Sequence, residues 1–251
     1  MLIVEIRFFR FLRITSRALR AGKIHLSPSS SLEYAQNSDQ YLVAPDICTS
    51  STLEIRSVKL FSRKPWEDLG GEPMHLSGQS DTSVALVRVL SALRYGVEPV
   101  FDDTGAFDAS RHVARALIGD EALREDVYGN WSFRYDLATV WQAWKGLPFV
   151  FGMWIIHQNA TSPELQPLLN RFLSEMALSV EEFRKDRAMV LKKWWERYPA
   201  AIPWETALSY HDAVDYRFTP DRQQSLALFY QDCVTIGILA EAPELRFWKG
   251  L

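Results

Sequence analysis

The chain has 251 residues, 47% hydrophobic and 24% charged, enough to bury a globular core without disulfides or a structural metal. A formal net charge of −3 supplies no broad cationic field, so neither nucleic acid nor a membrane surface is an expected partner. Two cysteines, Cys48 and Cys233, cannot build a disulfide framework or a Cys-rich zinc site, and they fit a reducing compartment.

The opening segment MLIVEIRFFRFLRITSR is apolar, yet Glu5, Arg7, Arg10 and Arg13 interrupt the uncharged centre a signal peptide needs. It reads as a strand or frayed start. Residues 14–21 read as a helix stopped by Gly22, and residues 23–26 as a short strand. In SPSSSLEYAQ, small hydroxyl residues precede Leu32 and Tyr34, the pattern of a helix N-terminus. Strands follow over residues 41–48 and 55–62, then turns at Pro65 and Gly70-Gly71 and a strand over residues 74–76. Ser80-Asp81-Thr82-Ser83 opens the clearest helix, with Val84, Leu86, Val87, Leu90 and Leu93 on one face and Gly96 at its end. Residues 97–101 and 113–118 read as strands, and Gly119-Asp120 turns into a short helix. Asp136 caps a helix over residues 137–145, Gly146 stops it, and LPFVFGMWII supplies a long buried strand over residues 147–156. That run has ten residues, short of the roughly 20 that a spanning helix requires. From Pro163 onward the chain reads as mostly helical, broken at Pro199 and Pro203, with a last helix over residues 220–236.

Strands alternating with helices predict an α/β fold with a largely parallel sheet. The strands over residues 55–62 and 147–156 bracket a self-contained unit, so the chain divides into one lobe of residues 1–55 plus 157–251 and a second of residues 56–156. Two hinge crossings then join the lobes, with a ligand cleft between them where strand ends and helix N-termini converge.

Three hydroxyl clusters stand out: Ser27 to Ser31, Thr49 to Thr52, and Ser80 to Ser83. Taken singly each reads as ordinary capping; three around one cleft read as shared anion binding. The histidines His25, His75, His112, His157 and His211 show no zinc-binding spacing, so no metal is expected. There is no G-x-S-x-G elbow, P-loop or Gly-rich dinucleotide turn to support a hydrolase, NTPase or dehydrogenase.

The blocks SSSLEYA, YLVAPDICTSSTLEIRSVKLFS, LSGQSDTSVALVRVL, IGDEAL and DLATVWQAWKGLPFVFGMW resemble the successive blocks of the chorismate dehydratase family of the futalosine route to menaquinone. The resemblance covers most of residues 14–251. It implies the two-lobed fold of type 2 periplasmic binding proteins, with a helical C-terminal region, in a cytoplasmic lyase needing no cofactor. The implied reaction converts chorismate to 3-[(1-carboxyvinyl)oxy]benzoate. On this resemblance Ser30, Ser31, Ser50, Ser51, Ser80, Thr82 and Ser83 hold the substrate, Trp141, Pro148 and Phe149 line it, and Asp136 or a water helps a hydroxyl leave, while the substrate's own enolpyruvyl carboxylate takes the proton. Relatives carry a Tyr-Leu-Asn strand before the segment matched by residues 14–21, where this chain has thirteen residues. A non-catalytic small-anion-binding protein of the same fold and the sister 1,4-dihydroxy-6-naphthoate synthase remain alternatives.

Overall fold

The computed structural model describes residues 12–78, 80–197 and 202–250. The expected opening strand therefore falls almost wholly outside the described residues. Two sheets organise the chain. The first contains β1 (Leu26–Ser30), β8 (Phe149–His157), β2 (Tyr41–Ser51) and β9 (Asp215–Arg217), in that order. The second contains β5 (Val100–Asp102), β4 (Pro73–Leu76), β6 (Ala114–Ile118), β3 (Val58–Ser62) and β7 (Phe133–Asp136).

The expectation of a largely parallel sheet is corrected here. Every pairing in the first sheet is antiparallel, and in the second only β4 pairs parallel, with β5 and β6. Alternation along the sequence misleads because β8 and β3 each return to a sheet against the chain direction of their neighbours. β8 also joins the first sheet, pairing with β1 and β2, although residues 147–156 read as the closing strand of the second lobe. The chain thus passes between sheets over residues 52–57 and again after helix α5 (Leu137–Lys145).

Most expected helices are present: α1 (Leu12–Arg20), α2 (Ser31–Gln36), α3 (Asp81–Val89), α4 (Asp120–Tyr128) and α5, then α6 (Gln166–Lys185), α7 (Arg187–Arg197), α8 (Trp204–Ala213) and α9 (Pro220–Thr235). Gly146 adopts φ of +72° and closes α5 as a left-handed C-cap, a conformation that penalises any residue bearing a Cβ. The expected strand over residues 55–62 begins only at Val58, because Ile55 to Ser57 form the crossing. β9 spans three residues and carries no apolar alternation, and β7 alternates as Phe133-Arg134-Tyr135-Asp136 over four residues only.

One continuous core runs through both sheets, from Tyr34, Val43 and Ile155 to Leu60, Met74 and Leu86. Buried Glu33 in α2 anchors α1, accepting from Arg20 and also from the hydroxyl of Tyr41. A buried carboxylate held this way is satisfied, and loss of its partners would be costly. Among the described residues no helix is long and apolar enough to cross a membrane.

Candidate functional site

The C-terminal ends of β1 and β2 flank the same stretch of β8: Ser30 and Thr49 both lie opposite Gly152. Two strand spacings separate them, about 10 Å. A Cβ on Gly152 would stand 3.0 Å from the Ser29 carbonyl oxygen, so any other residue here would push β1 back by a few tenths of an ångström. α2 begins directly after β1, and the N-terminus of α3 meets it from the second sheet.

Three of the expected hydroxyls come together at that meeting. Ser30 Oγ is 2.6 Å and Ser31 Oγ 3.0 Å from Thr82 Oγ1. The Leu32 N–H donates to Thr82 Oγ1, and the Thr82 N–H donates to Ser30 Oγ, each at 3.1 Å. All three side chains are buried. Ser80 and Ser83 lie alongside, with Ser83 Oγ 3.4 Å from Ser80 Oγ. Neither Ser30 nor Ser80 caps its own helix, so the simple capping expected of these residues is not how the chain uses them. Tyr230 of α9, which no local sequence signal marks, supports the nest by donating to the Ser31 carbonyl at 2.6 Å.

The second cluster is tied elsewhere. Ser50 donates to the Asp215 carbonyl at 2.9 Å and accepts from Arg222 Nε at 2.8 Å. Ser51 donates to the Glu54 carbonyl, holding the start of the crossing. Arg222, itself buried, also bonds Thr219 Oγ1 and the Asp215 carboxylate. Burial works against ionisation of Asp215, but its bonds from Arg217 and the charge of Arg222 outweigh it and lower the carboxyl to about 2.

Asp136 is a backbone clamp. Its side chain caps α5 by accepting from the N–H groups of Ala138 and Thr139, and it also accepts from Ile55 and Arg56 in the crossing. Burial pushes this carboxyl above its ordinary value, and the four N–H donors oppose that rise by favouring the charged form. With its oxygens so engaged, Asp136 has no lone pair to spare for a leaving hydroxyl.

Trp141, Pro148 and Phe149 are buried. Trp141 donates to Ser225 Oγ at 2.9 Å and packs edge-on against Phe149 and Phe229, joining α5 to α9. Being buried, these three residues offer no open wall. His157 stands seven residues along β8 from Val150, about 23 Å away by strand rise, where its ring accepts from the Asn159 N–H. His75 Nε2 contacts the Gly105 carbonyl at 3.0 Å, and its ring packs against Phe107 and His112. Two surface cavities, of about 320 and 370 Å³, are lined by Arg115 with Arg124 and by Asp39 with Glu241; neither includes a residue of the nest.

The coordinates resemble protein AF1704 from Archaeoglobus fulgidus at a TM-score of 0.65 and 19% identity, covering 91% of this chain and 85% of that one. They also resemble the alkanesulfonate-binding protein SsuA from Xanthomonas axonopodis pv. citri bound to MOPS, at a TM-score of 0.66 and 16% identity over 94% and 84% of the two chains. At those identities the likeness establishes the fold, that of periplasmic binding proteins. In sequence the chain is 27% identical to a chorismate dehydratase of Thermus thermophilus over 167 residues, 59% of this chain and 60% of the relative. A family model described as menaquinone biosynthesis matches residues 12–235, and the chain belongs to that family.

Proposed function

We propose that the protein is a lyase that dehydrates chorismate to 3-[(1-carboxyvinyl)oxy]benzoate in the futalosine route to menaquinone, working in the cytoplasm. Membership of the menaquinone-biosynthesis family and likeness to the Thermus dehydratase support this reading. The observation that carries it is the meeting of Ser30, Ser31 and Thr82 with two backbone N–H groups, a set of neutral donors suited to a carboxylate. Chorismate carries two carboxylates, and the nest beside β1 would hold one of them and so orient the ring.

The chemistry asks little of the protein. Loss of the C3 proton gives a dienolate spread into the ring carboxylate; departure of the C4 hydroxyl, which leaves as water, makes the ring aromatic. The substrate's enolpyruvyl carboxylate takes the C3 proton, and a water assists the leaving hydroxyl, since the Asp136 oxygens are filled by N–H donors. The nest holds the ring carboxylate as negative charge develops on it, in a site shielded from bulk water.

Purified protein mixed with chorismate is expected to form the aromatic product, followed by NMR of the ring protons. Chorismate that binds and returns unchanged would replace this reading with small-anion binding. His75→Gln and His157→Gln are expected to keep kcat within about tenfold of the parent; a loss of three decades at either, the scale of general-base removal, would refute proton abstraction by the substrate itself.

A further inference from the structure

Successive residues of a strand face opposite sides of its sheet, and the second sheet uses its two sides differently. Leu60, Met74, Ala114 and Ala116 face inward, into the core shared with the first sheet and with Leu86 of α3. Phe61 and Leu117 face outward, in a separate small cluster with Ala122 of α4, Trp131 and Phe107. Arg115 stands in the middle of that outer side. It is carried by β6, with Phe61 of β3 opposite it on one side and His75 of β4 on the other. Its guanidinium lies over the Phe107 ring at 4.2 Å, and its side chain is only 18% exposed.

The fold does little to satisfy this charge. Its one ion pair among the described residues, to Glu125, is long at 3.7 Å, and the other Glu125 oxygen is taken by the Trp131 indole N–H at 2.5 Å. The buried Arg115 Nε–H has no hydrogen-bond partner among the described residues. An apolar residue would pack against Phe107 and Leu117 at less cost, since a poorly paired interior charge adds nothing to stability. The same side chain lines a cavity of about 320 Å³. That is enough for a small ligand, whose sites start near about 300 Å³. Arg124 of α4 is exposed on the same wall and has no ion-pair partner among the described residues. Leu117 and the Tyr128 ring, 70% exposed, supply apolar surface.

We propose that this cavity is a binding site for a small organic monocarboxylate, separate from the nest. The carboxylate sits between Arg115 and Arg124, whose planar guanidinium groups match its two oxygens, with its apolar body against Leu117 and Tyr128. Stacking on Phe107 fixes the plane of Arg115 in advance, so little rotamer freedom is lost on binding. Glu121 and Glu125 on the same wall offset the two arginines. The cavity as a whole is therefore neutral, and a second negative charge on the ligand finds no cation to offset its desolvation. Because α3 packs on the inner side of this sheet, the nest at its N-terminus and the Arg115 cavity lie on opposite faces.

Benzoate titrated into the full chain, labelled with nitrogen-15 and held at neutral pH and constant ionic strength, tests this by NMR. Saturable shifts are expected at the backbone amides of Tyr128 and Gly129, which line the cavity. Arg115→Met and Arg124→Ala should each weaken binding about ten- to a hundredfold, the loss expected of a charged donor. Arg124 is exposed, so its variant keeps the test intact should Arg115→Met fail to fold. Thr82→Val should leave the affinity unchanged. Inorganic phosphate should bind at least about tenfold more weakly than benzoate, because its second charge is uncompensated. The site is overturned by an absence of saturable shifts at Tyr128 and Gly129, by an affinity that survives the arginine substitutions, or by its loss in Thr82→Val, which would put benzoate in the nest. Phosphate binding as tightly as benzoate overturns the monocarboxylate class.

Discussion

Ser30-Ser31 and Ser50-Ser51 look alike in the sequence, and they end on strands flanking the same glycine of β8. Their uses differ. The first pair faces α3, bonding hydroxyl to hydroxyl and hydroxyl to N–H, with no charged group among its partners. The second is locked into the first sheet, Ser50 by Arg222 and the Asp215 carbonyl and Ser51 by the Glu54 carbonyl. A neutral nest can exchange its partners for those of a ligand, because no buried charge is left behind. A hydroxyl that completes the coordination of a buried guanidinium cannot be drawn away so cheaply.

The largest expected effect separates the two pairs directly. Thr82→Val keeps the volume but removes the oxygen that the Leu32 N–H and the Ser30 hydroxyl both use. On the proposed function, kcat/KM for chorismate should fall roughly a hundred- to a thousandfold, the range for losing one preorganised donor to a developing anion. Ser50→Ala should instead leave kcat/KM within about threefold and cost about 1–2 kcal/mol of stability, read from urea melts, because Arg222 loses an acceptor. Equal losses of activity in the two variants would erase the distinction.

Asp136 comes next. Asp136→Ala uncaps α5 and strips the Ile55 and Arg56 N–H groups of their acceptor, at a cost of about 3 kcal/mol in denaturant midpoint terms. Asp136→Asn retains one accepting oxygen and should fall between the two. Recovery of full stability in the alanine variant would mean that the crossing does not need its clamp.

How far these roles could be read in advance depended on how far away the partner lay. The Asp136 cap, the Gly146 stop and the Pro220 start of α9 are local, set within a few residues of themselves, and each was legible. The meeting of Ser30 with Thr82 spans 52 residues, and that of Ser50 with Arg222 spans 172, so both clusters carried the same signal for different reasons. Strand direction was illegible for the same cause: β8 is apolar enough to be buried in either sheet, and only its pairing with β1 and β2 decides which. Only the family resemblance points to Trp141 and Phe149 as lining the substrate; the bond to Ser225 and the edge-on contact between the two rings place both in the core.

The smallest expected effect uses acid to divide the two regions. Asp215 titrates near 2 in the folded protein against its ordinary value of 3.8, held down by its bonds from Arg217 and by Arg222 against the opposing effect of burial. A lowered carboxyl contributes stability that is complete above the ordinary value and is lost as pH falls from about 4 toward 2. Partial exposure of Asp215 and Arg217 screens the interaction, so the contribution is about 1 kcal/mol. The parent should therefore exceed Asp215→Asn in urea midpoint at pH 6, with the gap closing near pH 2. The hydroxyls and amides of the nest do not titrate over that range, so the penalty of Thr82→Val should be the same at both ends. A Thr82→Val penalty that shrinks in step with the Asp215→Asn gap would show that the nest and the Arg222 network are one coupled unit, because uncoupled sites add independently.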